Sequence, residues 1–386
     1  MNLSVRCTVI SMVCLGLTAV PGRAQTVGGW EIQWEQLRLD VKGADEHVGD
    51  VTKITDVQTF TPPRLDTRVT HDPIDVNMEA RNAFRADVRY RGRRWGAGMS
   101  GWFFRTSDSL SGRVSSPAEV RTSTSVTSVV NSVLMFDELL PPVLNTLEPS
   151  GYSPVDYHAS GELRTVAVDG FALAALVDSD TSRLELIVGG KGARVRSEGD
   201  QGFSERAFIL NAFRPQHFNN NVSLSSTGRA TIDAAGPMVG LSSRTTWRRL
   251  RLDVSVTESV LFGSADQSGT FANIDDITLA QSPAGPFVTC PLALAAMGCY
   301  AIRSDWEFSK SEKALIPVTE LQLKFLVDVT QRIALGASSF TSIWSSVPAP
   351  PTFVSTHSGA GPGLDWEIRQ RALRFGAAGL VVNVKF

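Results

Sequence analysis

The chain of 386 residues has five histidines and four cysteines, and beyond residue 24 the cysteines are reduced to Cys290 and Cys299. These two sit in "TCPLALAAMGCY" with no histidine within forty residues, so no metal site is expected. No G-x-S-x-G, H-E-x-x-H, P-loop or G-x-G-x-x-G occurs, so neither an enzyme nor a cofactor is expected. The histidines His47, His71, His158, His217 and His357 fall in segments read as loops. His158 beside Ser160, and the acidic "NIDDI" from Asn273 to Ile277, are read as solvated loop residues rather than a hydrolase pair or a calcium site. The net charge of -2 gives no sign of a nucleic-acid partner. After the first twenty residues no apolar run approaches the length of a spanning helix. Any passage through a membrane must then be a closed barrel, which pairs every backbone group with another strand.

What is present begins with "MNLSVRCTVISMVCLGLTAVPGRAQ". One charge, Arg6, precedes an apolar run from Cys7 to Val20, and Gly22-Arg23-Ala24 supplies small residues for a peptidase. Residues 1–24 are expected to be a secretory signal peptide, cleaved after Ala24. Export to an oxidising compartment makes a disulfide between Cys290 and Cys299 the expected state of that pair.

The remainder alternates with period two, the mark of strands with one apolar face. "LRLDVK" sets Leu37, Leu39 and Val41 against Arg38, Asp40 and Lys42. Between Val76 and Arg91, Met78, Ala80, Phe84, Ala86, Val88 and Tyr90 oppose mainly charged residues. "RLRLDVSV" and "LQLKFLVDV" repeat the pattern, with Leu326 out of phase. Alternations of this length exceed the five or six residues of an ordinary soluble strand and suit tilted strands crossing a bilayer. Strands are placed near 30–42, 76–91, 95–106, 160–176, 183–197, 228–244, 247–263, 315–329, 332–346 and 371–386. The connections alternate between short turns and long loops near 43–75, 107–159, 198–227, 264–314 and 347–370. The fold expected for 25–386 is therefore a single all-β domain, an antiparallel transmembrane β-barrel. It has about ten strands, with eight to twelve as bounds, short periplasmic turns and long extracellular loops. Within 107–159, "SVVNSVLMFDELLPPVLNTL" reads as an apolar helical stretch folded over the mouth.

The apolar faces are assigned to lipid and the charged faces to the lumen. Candidate lumen residues are Glu79, Arg81, Arg85, Asp87, Arg89, Arg91, Arg249, Arg251, Asp253, Lys324 and Asp328. Two readings of this charged interior stand. It is either a constriction that passes small solutes or ions, or an ion-pair network that plugs a narrow barrel. The ending "AGLVVNVKF" places Phe386, Val384, Val382 and Leu380 on one face, with Val381 out of phase. Phe386 is expected in an interfacial aromatic girdle, where Trp95 and Trp247 also fall, and as a signal to the barrel assembly machinery.

"GRATIDAAGPMVGLSSRTTWRRLRLDVSVTESVLFG", "LIPVTELQLKFLVDVTQRIALGASSFTSIWSSV" and "LDWEIRQRALRFGAAGLVVNVKF" resemble the hairpins of the Legionella-type pore-forming major outer membrane proteins. The likeness covers mainly 160–386. It implies a Gram-negative outer-membrane barrel with pore activity and transfers no catalytic residues. The function expected is porin-like passage through a narrow charged lumen. The alternatives are a non-conducting barrel that anchors surface loops and, less favoured, a lipid-modifying enzyme of the outer membrane. Expected partners are outer-membrane lipid and lipopolysaccharide, the assembly machinery and small solutes. Native protein unfolded in denaturant without reductant should show no titratable thiol, and two after reduction. Two free thiols without reductant would show that Cys290 and Cys299 are not bridged.

Overall fold

The computed structural model describes residues 28–60, 63–114, 120–121, 125–128, 132–135, 155–210, 217–280, 300–358 and 361–386. The expected signal segment, Cys290 and Cys299 lie outside them. All regular structure among the described residues is β. In chain order the strands are β1 (Gly29–Lys42), β2 (Glu46–Phe60), β3 (Pro63–Val76), β4 (Arg81–Arg91), β5 (Trp95–Val114), β6 (Val120–Arg121), β7 (Ser125–Ser128) and β8 (Ser132–Met135). They continue with β9 (Val155–Asp178), β10 (Ser182–Leu210), β11 (His217–Trp247), β12 (Leu250–Ala280), β13 (Tyr300–Asp328), β14 (Ile333–Pro348), β15 (Thr352–Ser358), β16 (Gly361–Glu367) and β17 (Gln370–Lys385). Ten of them close a barrel in the order β1-β17-β14-β13-β12-β11-β10-β9-β5-β4. Every neighbouring pair is antiparallel. β1 pairs with β17 from Glu31↔Lys385 to Lys42↔Arg374, so the first and last strands seal the ring and leave no open edge.

The strands outrun the expected spans. β11 and β12 are 31 residues each, and β10 and β13 are 29. Segments 107–114, 155–159, 198–210, 217–227, 264–280 and 300–314, all within expected loops, are strand instead. His158 and His217 accordingly lie on β9 and β11. A ladder has no physical reason to stop where the lipid stops, since backbone pairing also holds in water. Part of the apolar stretch near Ser132 is strand rather than helix, because β8 pairs with β2.

The outer face carries an apolar belt. At its turn end sit Trp30, Tyr90, Trp95, Trp247 and Phe386, with Trp30–Tyr90 and Tyr90–Trp95 ring centroids 5.4 and 5.7 Å apart. Phe386 is 71% exposed, and its backbone N donates to Trp30 O at 2.9 Å. Higher up, Val88, Met99, Val168, Val188, Val239, Val260, Leu323, Phe325 and Leu335 face outward. So broad an apolar exterior on a closed barrel is a membrane-facing surface.

On β1 the apolar face changes side. Trp30 and Trp34 point out, while Leu37, Leu39 and Val41 are buried inside and Arg38, Asp40 and Lys42 are exposed. This corrects the expectation that Leu37, Leu39 and Val41 face lipid. β17 makes the same change: Val382 and Leu380 point out, and Phe375 and Leu373 point in. The reason is solvent. Where the wall is surrounded by lipid, apolar side chains go outward; where water surrounds it, they go inward as in any soluble sheet.

The upper interior is accordingly an apolar core. Trp102 meets Phe375, Phe340 and Trp344 with centroids 5.2, 5.7 and 6.2 Å apart, and Phe104 packs on Phe375 at 6.2 Å. Met78, expected on the lipid face, is buried in this core, because residues 77–80 precede the start of β4 and leave its phase. Gly161, Gly199, Gly228 and Gly269 stand in one register across β9 to β12. They face inward, where other chain segments press close. A Cβ on Gly161 would lie 2.5 Å from Met78 Cε, and one on Gly228 would lie 2.6 Å from Pro351 O. The residues that precede β4 and follow β14 thus lie against the upper inner wall.

Candidate functional site: the ionic lumen

Below the aromatic core the inward positions are charged. β1 contributes Glu31, Gln33 and Glu35, and β4 contributes Arg85, Asp87, Arg89 and Arg91, all buried. β9 to β13 add Asp169, Arg183, Glu185, Lys191, Arg244, Arg251, Asp253, Glu320 and Lys324. Alternation delivers each of these inward because its neighbours in sequence face lipid.

The side chains meet across the lumen. Glu31 on β1 takes a bidentate pair from Arg244 on β11, 2.7 and 2.8 Å, and these strands are on opposite sides of the ring. Arg91 donates to Glu31 at 2.6 Å and to Glu185 on β10 at 3.2 Å. Arg244 also holds Asp253 at 2.9 Å, and Arg251 lies 3.6 Å from Asp253 and 3.9 Å from Glu31. One level higher, Lys324 on β13 reaches Glu35 at 2.8 Å, lies 3.9 Å from Asp87 and donates to Gln33. Asp87 is also bonded by Arg89 Nε at 2.7 Å. Higher again, Lys191 bridges Asp169 at 2.6 Å and Glu320 at 3.0 Å. Arg85 places its guanidinium 4.8 Å from the centroid of Phe340, where the ionic layer meets the aromatic one. A cavity of about 20 Å³ remains between Arg85, Arg89, Asp169, Glu320 and Phe340, room for about one water.

Of the candidates named from sequence, Arg85, Asp87, Arg89, Arg91, Arg251, Asp253 and Lys324 face this interior. Asp328 lies at the turn end, 3.1 Å from Lys385. Arg81 and Glu79 pair at 3.2 Å near the outer rim, half exposed. Arg249 is corrected: it lies in the two-residue turn between β11 and β12 and is exposed, because the strand that turns Arg251 inward begins only at Leu250. Sequence reading passed over Glu31, Glu35, Asp169, Glu185, Lys191, Arg244 and Glu320. A signal was present for the first two, since "WEIQWEQ" alternates Trp30, Ile32 and Trp34 with Glu31, Gln33 and Glu35. The out-of-phase Leu326 and Val381 have a partner in each other: with Ala334 they form a small buried apolar patch at the base of the lumen.

Above the belt, most described outward arginines are paired. Arg105 holds Glu162 at 2.6 Å, Arg194 holds Asp233 at 2.6 Å and Arg229 holds Glu198 at 2.8 Å. Hydrogen bonds from Arg164 first, and then Arg105, outweigh partial burial and keep the Glu162 carboxyl below its ordinary range. His158 faces Ser111 across the β5–β9 pairing on the exposed exterior, outside the lumen.

The sequence matches no protein-family model and no curated protein. Similar solved structures include the outer membrane protease OmpT of Escherichia coli, which is 8% identical, with 93% of this chain and 97% of that chain covered and a TM-score of 0.41. The toluene transporter TodX of P. putida is 7% identical, with coverage of 94% and 91% and a TM-score of 0.22. The anion-selective porin from Comamonas acidovorans is 8% identical, with coverage of 92% and 100% and a TM-score of 0.11. All three are outer-membrane β-barrels. At such identities and scores they carry no argument about activity, and they do not support the resemblance to the Legionella-type family.

Removing one partner from a buried pair leaves the other charge stranded, at a cost of about 3–5 kcal/mol. Glu31→Gln should therefore lower the urea midpoint of the vesicle-inserted barrel, read by tryptophan fluorescence. Arg194→Ala, in an exposed pair, should leave the midpoint unchanged. Equal midpoints for Glu31→Gln and wild type would show that the lumen network carries no such weight.

Proposed function

We propose that the protein is a non-conducting barrel of the Gram-negative outer membrane that anchors an extended β-structure at the cell surface. The observation that carries this reading is the Glu31–Arg244 bridge between opposite walls. A lumen crossed by a direct hydrogen bond has no aqueous path at that level. Lys191–Glu320 and Lys324–Glu35 add bridges between strands three apart in the ring, and the Trp102 cluster fills the interior beside them.

Charge supports a filler rather than a filter. The cations Arg85, Arg89, Arg91, Arg183, Lys191, Arg244, Arg251 and Lys324 face Glu31, Glu35, Asp87, Asp169, Glu185, Asp253 and Glu320. A selective constriction presents an excess of one sign to passing ions; here the two signs nearly cancel. Outer-membrane location is supported by the apolar belt, the aromatic girdle at the turn end and the sealed seam. Phe386 at that girdle fits a role as the assembly signal.

The anchoring reading assigns function to the parts beyond the lipid: the upper halves of β9 to β13 and the hairpins β2–β3 and β15–β16. Purified protein in planar bilayers should produce no stepwise conductance. Trp102→Ala with Phe340→Ala should also remain silent, because the ionic layer persists below. Regular current steps from the wild-type protein would overturn the reading and favour porin-like passage of small solutes.

A further inference from the structure

The apolar belt is not of even height. On β12 and β13 it reaches Phe262 and Leu315. On β1 it stops at Trp34, and the next outward residues are Gln36, Arg38, Asp40 and Lys42. On β17 it stops at Leu380, followed outward by Ala378, Gly376 and Arg374.

Directly below this polar edge lies a groove of about 710 Å³ in the barrel wall, flanked by Trp34, Phe84, Phe103 and Leu380. Its floor is Ala86 and Gly101, register partners on β4 and β5. Two of the smallest side chains are thus paired between bulky ones, and the depression is long and apolar.

The edge above the groove is cationic. Lys42 and Arg374 are register partners on β1 and β17, and Arg38 stands four residues below Lys42, about 13 Å along the strand. Among the described residues none of the three has an ion pair, while Asp40 is the one carboxylate among them. This contrasts with the paired arginines Arg105, Arg194 and Arg229.

We propose that this face binds one bis-phosphorylated, multiply acylated glycolipid of the outer leaflet, the lipid A class. An acyl chain lies in the groove over Ala86 and Gly101. One phosphate meets Arg38 and the other meets Lys42 with Arg374. Two separated cationic positions fit a ligand with two phosphates; a glycerophospholipid has one. The proposal rests on the outer-membrane reading above.

The test is binding of lipid A to the purified, detergent-folded full chain, read by native mass spectrometry. One molecule of bis-phosphoryl lipid A should bind per barrel. Arg38→Glu with Arg374→Glu should weaken it at least tenfold, and Arg229→Glu, on β11 across the ring from β1, should not. Monophosphoryl lipid A should bind more weakly than the bis-phosphoryl form. Ala86→Phe, which fills the groove with the cations intact, gives a second route to the same loss if the charge variant fails to fold. Retention of binding by either folded variant would overturn the proposal. So would phosphatidylglycerol competing as well as lipid A, which would mark the contact as general lipid annulus. Failure of the outer-membrane reading would show separately, as recovery of the protein in another cell fraction.

Discussion

Glu31 reaching Arg244 across the ring states the constraint on which the rest of the molecule depends: ten strands close a barrel so narrow that opposite walls touch. Nothing that points inward has bulk water to fall back on. Each inward charge therefore needs a counter-charge close by, on its own strand as for Arg89 and Asp87 or on another, and each inward apolar group needs a neighbour to pack against. The near-balance of cations and carboxylates is a consequence, since an unpaired charge in such an interior costs several kcal/mol. So is the position of Arg85, whose guanidinium meets the ring of Phe340 at the boundary between the two fillings.

The two fillings have a common cause in the medium outside the wall. Within lipid, strand alternation sends Trp34, Phe325 and Val382 outward and leaves Glu35, Lys324 and Asn383 inside. Above lipid, the same alternation sends Arg38 and Arg374 outward and leaves Leu39 and Phe375 inside. A transmembrane barrel is thereby continued by a water-exposed barrel with an ordinary apolar core. The uneven height of the change, lower on β1 and β17 than on β12 and β13, brings cations down to a groove that lipid can fill.

The closed ring, its strand count and its short turns were legible in the sequence, because period-two alternation and turn spacing are local properties. The level at which the alternation reverses was not read. "LRLDVK" has the same pattern whether Leu39 faces lipid or a core, and the choice depends on where the strand stands in the membrane. The change of phase between Trp34 and Leu37 does carry that information. Arg249 has the parity of Arg251 and Asp253 but sits in the turn, before the strand that gives parity its meaning begins at Leu250. Arg244 and Lys191 each take one partner from an adjacent strand, Asp253 and Asp169, and one, Glu31 and Glu320, that only the curvature of the ring brings near. Leu326 and Val381, which looked like errors in the pattern, flank Gly336 of β14 from either side and pack in one buried apolar patch.

The architecture turns on the reversal of the apolar face, and solvent accessibility on β1 tests it most directly. Single cysteines at Trp34, Leu39 and Asp40, with Cys290 and Cys299 replaced by serine, would be treated with a water-soluble maleimide on vesicle-inserted barrel. A reversed face predicts rapid labelling at Asp40→Cys and protection at both Trp34→Cys and Leu39→Cys, the first by lipid and the second by the core. Protection at Asp40→Cys together with labelling at Leu39→Cys would contradict it.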